Sequence, residues 1–296
     1  MAEITAAAVK GLRERTGAGM MDCKAALKEA DGDVERAIEV LRERGLAKAV
    51  KRSGRETSEG AVAFAVDGGA GAMVELGCET DFVAKTPDYQ SLAEALAGVA
   101  AANPAIDGPE ALLSAELDGA KVSETIASAV AKMGENIVLK RVARLGTAGG
   151  GVAGGYVHAG GKLGVLVALT TEASGDAVGV LAKDIAMHVA AADPSPVSVD
   201  RDGVPEDLVA KERELFRRQA EAEGKPEKVI EKIVEGRVRK FYSEICLIEQ
   251  PFVKDPDQTV GKLVEAAAAE FGSPVSVAGF ARFKLGETAA DDGESA

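Results

Sequence analysis

The first 45 residues place an apolar side chain at every third or fourth position, which is the spacing of one buried face of an α-helix. Two breaks interrupt this pattern, a Gly-Ala-Gly run at 17–19 and an Asp-Gly-Asp run at 31–33. Thr5 and Asp33 stand where N-cap residues are favoured. The pattern therefore predicts three helices, at about residues 6–15, at 20–30 and from 34 onward.

This first unit is too small to bury a large hydrophobic core. A chain of about 40 residues has only a marginal core, which suits a small recognition module better than an enzyme. Residues 48–60, which follow it, are first basic and then polar and show no apolar periodicity. We interpret them as a tether between the module and the rest of the chain.

From residue 60 the pattern changes to short apolar runs separated by glycine-rich turns, which is typical of β-hairpins. The strands of two predicted hairpins lie at 60–66 and 71–76, and at 154–157 and 163–169. Each hairpin leads into a helical stretch with a similar end, Ala-Ala-Asn-Pro at 101–104 and Ala-Ala-Asp-Pro at 191–194. The similarity indicates two related α+β halves, with independent convergence on a hairpin followed by a helix as the alternative.

Further elements are predicted between and after these halves. Residues 205–241 carry apolar positions close to a seven-residue repeat on both sides of a Gly-Lys-Pro turn at 224–226, so we predict a projecting antiparallel helical hairpin. Residues from 286 onward are small and acidic, and we expect them to be disordered. The remaining predicted elements are helices at 122–132 and 260–270, a strand at 137–145 in the second sheet, and strands at 244–248 and 277–283.

A length of 296 residues is typical of about two domains. The predicted fold class is α+β, with an N-terminal three-helix module, two related α+β core subdomains and a projecting antiparallel helical hairpin. The boundaries that follow are 1–50 for the module, 51–60 for the linker, 61–146 for the first core subdomain, 147–204 for the first part of the second, 205–241 for the helical hairpin, 242–285 for the continuation of the second subdomain with a C-terminal module, and 286–296 for the acidic tail.

Charge and composition narrow the classes of partner. The chain carries 35 Lys and Arg against 48 Asp and Glu, a net charge of −13, and is poorly suited to grip a phosphate backbone. Aromatic residues make up 4% and Trp is absent, which leaves few platforms for stacked bases. No apolar run approaches the roughly 20 residues that span a bilayer, and the N-terminus lacks the pattern of an export signal. We expect a soluble protein that binds neither nucleic acid strongly nor a membrane.

Cysteine and histidine are too sparse for a metal site or a disulfide framework. Cys23, Cys78 and Cys246 are odd in number and widely spaced, which argues against disulfides and against a thiolate zinc site. The two histidines are His158 and His188, and we expect His188, on an apolar helix face, to be a core residue. These features predict a cytoplasmic protein without metal or cofactor.

Motifs for covalent chemistry or nucleotide binding are incomplete. Neither histidine lies near a nucleophile elbow, and no cysteine lies in a nucleophile signature. Residues 155–162 approach a phosphate-binding loop, but the spacer is one residue too long and Leu163 replaces the hydroxyl that binds magnesium. We therefore expect no catalytic residues and no direct nucleotide binding.

The segment 78–85 combines the end of a strand with an aromatic residue beside a carboxylate. Phe82 is either a core residue at a strand-to-helix junction, the commoner case, or, with Asp81, part of a loop tip that inserts into a partner. Aromatic anchors of the second kind often dominate the energetics of an interface. The residues alone leave both interpretations open.

Six motifs, which follow one another along nearly the whole chain apart from the acidic tail, resemble bacterial translation elongation factor Ts. They are residues 9–27 (VKGLRERTGAGMMDCKAAL), 79–83 (ETDFV), 132–137 (KMGENI), 186–191 (AMHVAA), 234–237 (VEGR) and 250–253 (QPFV). The first two are the most specific.

The resemblance implies a guanine-nucleotide exchange factor for elongation factor Tu, the GTPase that delivers aminoacyl-tRNA. Such a factor acts by protein–protein binding without covalent catalysis, and its partner is Tu in the GDP-bound and nucleotide-free states. The resemblance also implies that the N-terminal module is similar to a ubiquitin-associated (UBA) domain and docks on the GTPase domain of Tu. It implies two α+β halves, with a helical hairpin projecting from the second.

The resemblance further implies which residues contact Tu. Thr80, Asp81, Phe82 and Val83 would insert beside the nucleotide site, with Phe82 in a pocket of Tu, and displace the elements that hold magnesium and the phosphates. Further contacts carried over from the family are Lys24, Met133, Gly134, His158 and Val253. Met133 replaces an Ile of the best-known relative, which exchanges one apolar side chain for another.

Two other functions are kept as alternatives. A UBA-like scaffold that binds another partner without exchange activity would depend on residues 1–50 and be indifferent to Phe82. A small-molecule enzyme that uses the glycine-rich turns for an anionic ligand would show saturable nucleotide binding by this chain alone.

Overall fold

The structure is a computed structural model that describes residues 4–147 and 150–287. Within these ranges the chain forms two compact units, one from residues 4–63 and 74–143 and the other from residues 64–73 and 144–287. Helices and antiparallel strands occur in both, which confirms the predicted mixture of α and β structure.

The bounds of the helices and strands are as follows. Among residues 4–147 they are α1 (Ala6–Thr16), α2 (Met20–Glu29), α3 (Val34–Arg52), β1 (Glu59–Asp67), β2 (Ala70–Cys78), α4 (Asp81–Ala84), α5 (Pro87–Ala102), α6 (Pro109–Ser114), β3 (Glu116–Leu117), β4 (Ala120–Lys121), α7 (Val122–Met133) and β5 (Ile137–Gly146). Among residues 150–287 they are β6 (Gly151–Val157), β7 (Leu163–Thr171), α8 (Asp176–Ala191), α9 (Glu206–Ala222), α10 (Glu227–Ile245), β8 (Pro251–Phe252), β9 (Asp255–Thr259), α11 (Val260–Phe271) and β10 (Val275–Lys284).

Local signals in the sequence build the three N-terminal helices. The hydroxyl of Thr5 accepts a hydrogen bond from the amide of Ala8 (3.2 Å), and the carboxylate of Asp33 accepts one from the amide of Arg36 (3.0 Å). Both predicted N-caps are therefore confirmed. The buried residues of these helices form a core of their own, Val9, Leu12, Cys23, Ala26, Leu27, Ala30, Ala37 and Val40.

The predicted tether is wrong over its first residues, because α3 continues to Arg52. This helix packs along α7, where Arg52 donates a hydrogen bond to the carbonyl of Val130 (3.3 Å) and Arg42 forms an ion pair with Glu124. Arg52, a basic residue of the predicted tether, thus binds a neighbouring helix. The boundary expected at residue 50 lies inside α3, and the irregular connection is confined to residues 53–58.

Strands β1, β2 and β5 form the first sheet in the order β1-β2-β5. The predicted first hairpin is confirmed, whereas the expectation that residues 137–145 join the second sheet is wrong. The apolar pattern of a strand does not identify its neighbour. Here Arg141 of β5 lies 2.6 Å from the carboxylate of Glu75, which is buried in β2. Because a buried carboxylate is costly unless it is paired, this ion pair favours β5 beside β2.

Strands β6, β7 and β10 form the second sheet, which is antiparallel with β7 in the middle. Val165 of β7 stands opposite Tyr156 of β6 and opposite Arg282 of β10. Buried residues of β7, α8 and α11 share one hydrophobic core. The second hairpin and the elements predicted at 260–270 and 277–283 are confirmed.

Helices α9 and α10 form the predicted helical hairpin. Its seam buries Ala220 of α9 against Ile230, Val234 and Val238 of α10. At its base, Val204, Ile245 and Cys246 form a separate cluster with partly buried residues of both helices. The hairpin therefore has an apolar core along its length and another at its base.

The strand predicted at 244–248 is wrong, because α10 runs to Ile245 and Leu247–Glu249 form a turn of 3-10 helix. The backbone groups of this stretch bind the preceding connection instead of a sheet. The amide of Val197 donates to the carbonyl of Ile245 (2.8 Å), and the amide of Leu247 donates to the carbonyl of Ser198 (2.9 Å). The apolar run thus forms the base of the hairpin.

The last described residues contact the second sheet. Glu287, in the tail expected to be disordered, forms an ion pair with Arg282 of β10 (2.9 Å), so this first part of the tail is held in place. The rest of that tail, residues 288–296, lies outside the described residues. Among the helices of residues 4–147 and 150–287, none has the length and apolar character needed to cross a membrane.

Candidate partner-binding site

Phe82 is the most exposed large apolar side chain in the described part of the chain, with 81% of its surface accessible. Burial of such a side chain contributes about 1.5–3 kcal/mol to folding. The fold gains little of this stabilisation from Phe82. The interpretation of Phe82 as a core residue is therefore wrong.

The segment that carries Phe82 is a single helical turn, α4, where a loop tip was expected. The hydroxyl of Thr80 caps this turn by accepting a hydrogen bond from the amide of Val83 (3.4 Å). Lys85 returns to Asp81 at 2.7 Å, the i,i+4 pairing that supports a helix. The turn therefore presents the phenyl ring from a backbone with its own hydrogen bonds.

Two carboxylates fasten this segment to the residues that follow α7. Glu135 accepts hydrogen bonds from the amide (2.9 Å) and the hydroxyl (2.6 Å) of Thr80. Glu79 accepts one from the amide of Asn136 (2.7 Å), whose side chain donates to the carbonyl of Arg55 (2.8 Å). Residues 79–80 and 135–136 are thus connected in both directions.

Neighbouring groups and burial shift the pKa values of Glu79 and Cys78. The hydrogen bond from the Asn136 amide, and after it the Arg55 guanidinium, hold the pKa of Glu79 below its ordinary value. Burial raises the pKa of the Cys78 thiol, which donates to the carbonyl of Thr80 (3.1 Å). A protonated, hydrogen-bonded thiol is a poor nucleophile. Cys78 therefore has a structural role at the start of the segment and not a reactive one.

Two of the predicted contact residues lie on one surface with the N-terminal module. Val83 and Met133 line a surface depression together with residues 17–20, the turn between α1 and α2. Met20 and its neighbour Met21 are both exposed. Three segments that are far apart in sequence thus meet beside α4.

Gly134 and Lys24 are placed differently. Gly134 ends α7 with a φ of +82°, and its amide donates to the carbonyl of Val130 (3.0 Å). Glycine adopts this left-handed conformation without the steric penalty of a Cβ, so the residue has a structural reason to be glycine. Lys24 is exposed on α2 and is not among the residues that line the depression.

His158 and Val253 belong to the other compact unit. His158 is exposed in the turn between β6 and β7, where its Nδ1 lies 2.9 Å from the hydroxyl of Tyr156. Val253 is 44% exposed in the turn between β8 and β9, and its amide donates to Nδ1 of His188 (3.1 Å). His188 is buried, as predicted, and it holds the turn that carries Val253.

The segment offers contact groups in place of catalytic ones. An apolar ring stands beside an exposed ion pair, and the nearest thiol is buried. Across residues 4–147 and 150–287, no group of three or more His, Cys, Asp and Glu side chains could hold a metal ion. Exposed apolar groups bordered by polar ones are a common feature of interaction surfaces.

The family model described as elongation factor TS matches residues 79–287, which begin at the carboxylate that precedes Thr80. This chain belongs to the elongation factor Ts family. Proteins named elongation factor Ts from Clostridium botulinum (strain Alaska E43), Thioalkalivibrio sulfidiphilus and Maricaulis maris are 46%, 50% and 46% identical to it. The alignments cover 96%, 96% and 97% of this chain and 93%, 92% and 93% of these relatives.

Membership of the elongation factor Ts family makes the chain a translation elongation factor, as its motifs implied. The sequence alone did not single out Glu79 and Glu135, the carboxylates that fasten α4. Both stand inside motifs of the resemblance, 79–83 and 132–137, next to residues expected to contact a partner. The sequence does show that each carboxylate stands beside a residue expected to contact a partner. It does not show which group each carboxylate binds.

Proposed function

We propose that this chain is a guanine-nucleotide exchange factor for elongation factor Tu. In this proposal the segment Thr80–Val83 inserts near the nucleotide and magnesium site of Tu and promotes release of GDP. The observation that supports it most is Phe82, an exposed ring on a helical turn that is capped and fastened. A ring of this kind is available to a partner at once, because no rearrangement of the fold is needed to expose it.

Nucleotide exchange on Tu requires only that the factor and the nucleotide bind Tu in competition, without a chemical reaction. If this factor and GDP each bind Tu and weaken one another, the coupling is reciprocal, so the factor expels GDP and incoming nucleotide expels the factor. Burying the ring of Phe82 in Tu would supply about 2 kcal/mol, which corresponds to roughly 30-fold in affinity. If the ring can be buried only when GDP has left Tu, this free energy enters the coupling between the two ligands, which is typically about 1–3 kcal/mol. Covalent catalysis has no part in the proposal.

The other predicted contacts would form a docking surface around the segment Thr80–Val83. Val83 and Met133 border the depression beside the N-terminal module, which we propose is UBA-like and docks on the GTPase domain of Tu. Lys24, Gly134, His158 and Val253 are proposed as further contacts. We propose that the chain acts in the cytoplasm on GDP-bound and nucleotide-free Tu, and that it binds no nucleotide itself.

Release of a fluorescent GDP analogue from purified elongation factor Tu, chased with unlabelled nucleotide, tests this proposal. We expect strong acceleration by the wild type and a much weaker effect of Phe82→Ala. Val180→Ala is the matched control, since it removes an exposed apolar side chain from α8, away from the proposed contacts, and it should behave as the wild type.

Each outcome has a defined meaning. Acceleration that Phe82→Ala leaves unchanged would keep the exchange activity and remove Phe82 from its mechanism. A folded wild-type protein that does not accelerate release would overturn the proposal and favour a scaffold that binds another partner.

A further inference from the structure

Glu135 occupies a position between two groups of predicted contact residues. It follows Met133 and Gly134 directly in the sequence, and its carboxylate binds Thr80, the first residue of the segment Thr80–Val83. The two positions are separated by 55 residues in the chain. The side chain of Glu135 therefore connects two groups of predicted contact residues that are distant in the sequence.

We propose that Glu135 is a positioning residue that fixes the orientation of α4 and hence of Phe82 toward the partner. The inference rests on the proposed exchange function for its biological meaning, while the geometry is a property of the free protein. Glu135 need not touch the partner for this role. It acts through Thr80.

The hydrogen bonds explain how a carboxylate sets the direction of a helical turn. The Thr80 hydroxyl has one proton, which it donates to Oε1 of Glu135 (2.6 Å). Its lone pairs are then free to accept the Val83 amide (3.4 Å), so the same hydroxyl caps α4. Oε2 of Glu135 accepts the Thr80 amide (2.9 Å). Both oxygens thus hold one residue, and hydrogen bonds to an ionised group are stronger than neutral ones.

A second connection prevents the segment from turning about Glu135. Glu79 accepts the Asn136 amide (2.7 Å) and lies within 3.3 Å of the Arg55 guanidinium. The chain entering α4 and the chain leaving α7 are therefore bound at two successive residues each. With two points of attachment, loss of the Glu135 contacts should loosen α4 while β2 and α7 stay in place.

Amide hydrogen exchange in the free protein, followed by NMR, tests the geometry without Tu. We expect Glu135→Ala to speed exchange of the Thr80 and Val83 amides by about tenfold, because it removes two charge-assisted hydrogen bonds. Glu135→Gln should have an intermediate effect, since its single amide oxygen can accept one of the two. Glu94→Ala, which removes an exposed carboxylate from α5, is the matched control and should leave both amides unchanged.

A double-mutant cycle in the GDP-release assay tests the role. We expect Glu135→Ala to lower the acceleration by about tenfold and to add little to Phe82→Ala, because a residue that acts through Phe82 cannot matter once the ring is gone. The maximal rate at saturating factor should fall more than the affinity for Tu, since the other docking surfaces remain. A general loss of structure would instead lower both and would add to Phe82→Ala.

The outcomes separate this inference from the proposed function. Unchanged exchange of the Thr80 and Val83 amides in Glu135→Ala would overturn the positioning role, and so would an additive double mutant. If the wild type does not accelerate GDP release, the proposed function fails, while the amide exchange rates still decide whether Glu135 holds α4.

Discussion

His188 shows how much a single buried side chain depends on its protonation state. Its Nδ1 accepts the amide of Val253 (3.1 Å), so the proton of the neutral ring is on Nε2, which donates to Oε1 of Gln250 (3.0 Å). The Gln250 side chain continues the network by donating to the carbonyls of Pro194 (3.0 Å) and Glu244 (2.6 Å). Only the neutral imidazole satisfies both of its partners.

The protonation of His188 leads to a prediction about acid stability. Burial lowers its pKa in the folded state below the ordinary 6.5. Between the two values the unfolded chain binds a proton that the native state does not, so stability is full above about pH 6.5 and declines as the pH falls through this window. Urea unfolding from about pH 7.5 to about pH 5.5 should therefore show a smaller loss of stability for His188→Asn than for the wild type.

The matched substitution His158→Asn provides the control. His158 is exposed in a turn, so its replacement controls for the loss of a histidine outside the buried network of His188. Equal slopes for the wild type and His188→Asn would show that the buried imidazole does not titrate in this window.

At the scale of elements, the contact between α3 and α7 determines how the N-terminal helices are attached. Gly45 is buried on α3, and a Cβ added there would meet the Cβ of Ala131 at 3.5 Å, an ordinary contact. Arg52 binds α7 at the end of the same helix. The helix pair is therefore close along much of its length, and its spacing depends on a residue without a side chain.

The spacing of this helix pair predicts a graded effect of side-chain size. Gly45→Ala should be tolerated, because the added Cβ fits and alanine favours a helix. Gly45→Leu should destabilise the protein by about 1–3 kcal/mol, since a larger side chain has no room against α7. Thermal unfolding of both variants measures this difference.

Gly11→Leu is a suitable comparison, because an added Cβ at Gly11 of α1 meets no atom within 4 Å. It should not destabilise the protein. A Gly45→Leu variant as stable as Gly11→Leu would mean that α3 and α7 can separate without cost.

At the scale of the whole molecule, the helical hairpin packs mainly against itself and not against the sheet of its unit. Its seam has an apolar core of its own, and its base has another. Removal of the seam would leave the base cluster around Val204 and Ile245 intact. The rest of the unit, including the turns that carry His158 and Val253, should keep its fold.

Replacing residues 214–240 by a short glycine–serine linker tests what the hairpin contributes. We expect GDP-release activity to fall by less than about tenfold, because peripheral contacts usually contribute less than a central anchor. A wild-type melting temperature for the remaining fold would show that the deletion is local. Complete loss of exchange from such a folded variant would make the hairpin essential.

The sequence predicted those features of the molecule that depend on neighbouring residues. The caps at Thr5 and Asp33, both hairpins and the pair α9–α10 follow from local patterns, and all are confirmed. The sheet that β5 joins and the extension of α3 depend on Glu75 and Val130, which are distant in the chain. The bond between Thr80 and Glu135 spans 55 residues, and no spacing rule predicts it.

The exposure of Phe82 also bears on the behaviour of the protein in concentrated solution. An uncovered ring, with Met20 and Met21 exposed as well, is a surface on which identical molecules tend to adhere. A net charge of −13 opposes this adhesion, because like-charged copies repel one another before the rings can meet. That repulsion acts over a Debye length of about 8 Å at physiological ionic strength. The acidity of the chain thus gives colloidal stability to a molecule whose fold leaves an apolar ring in water.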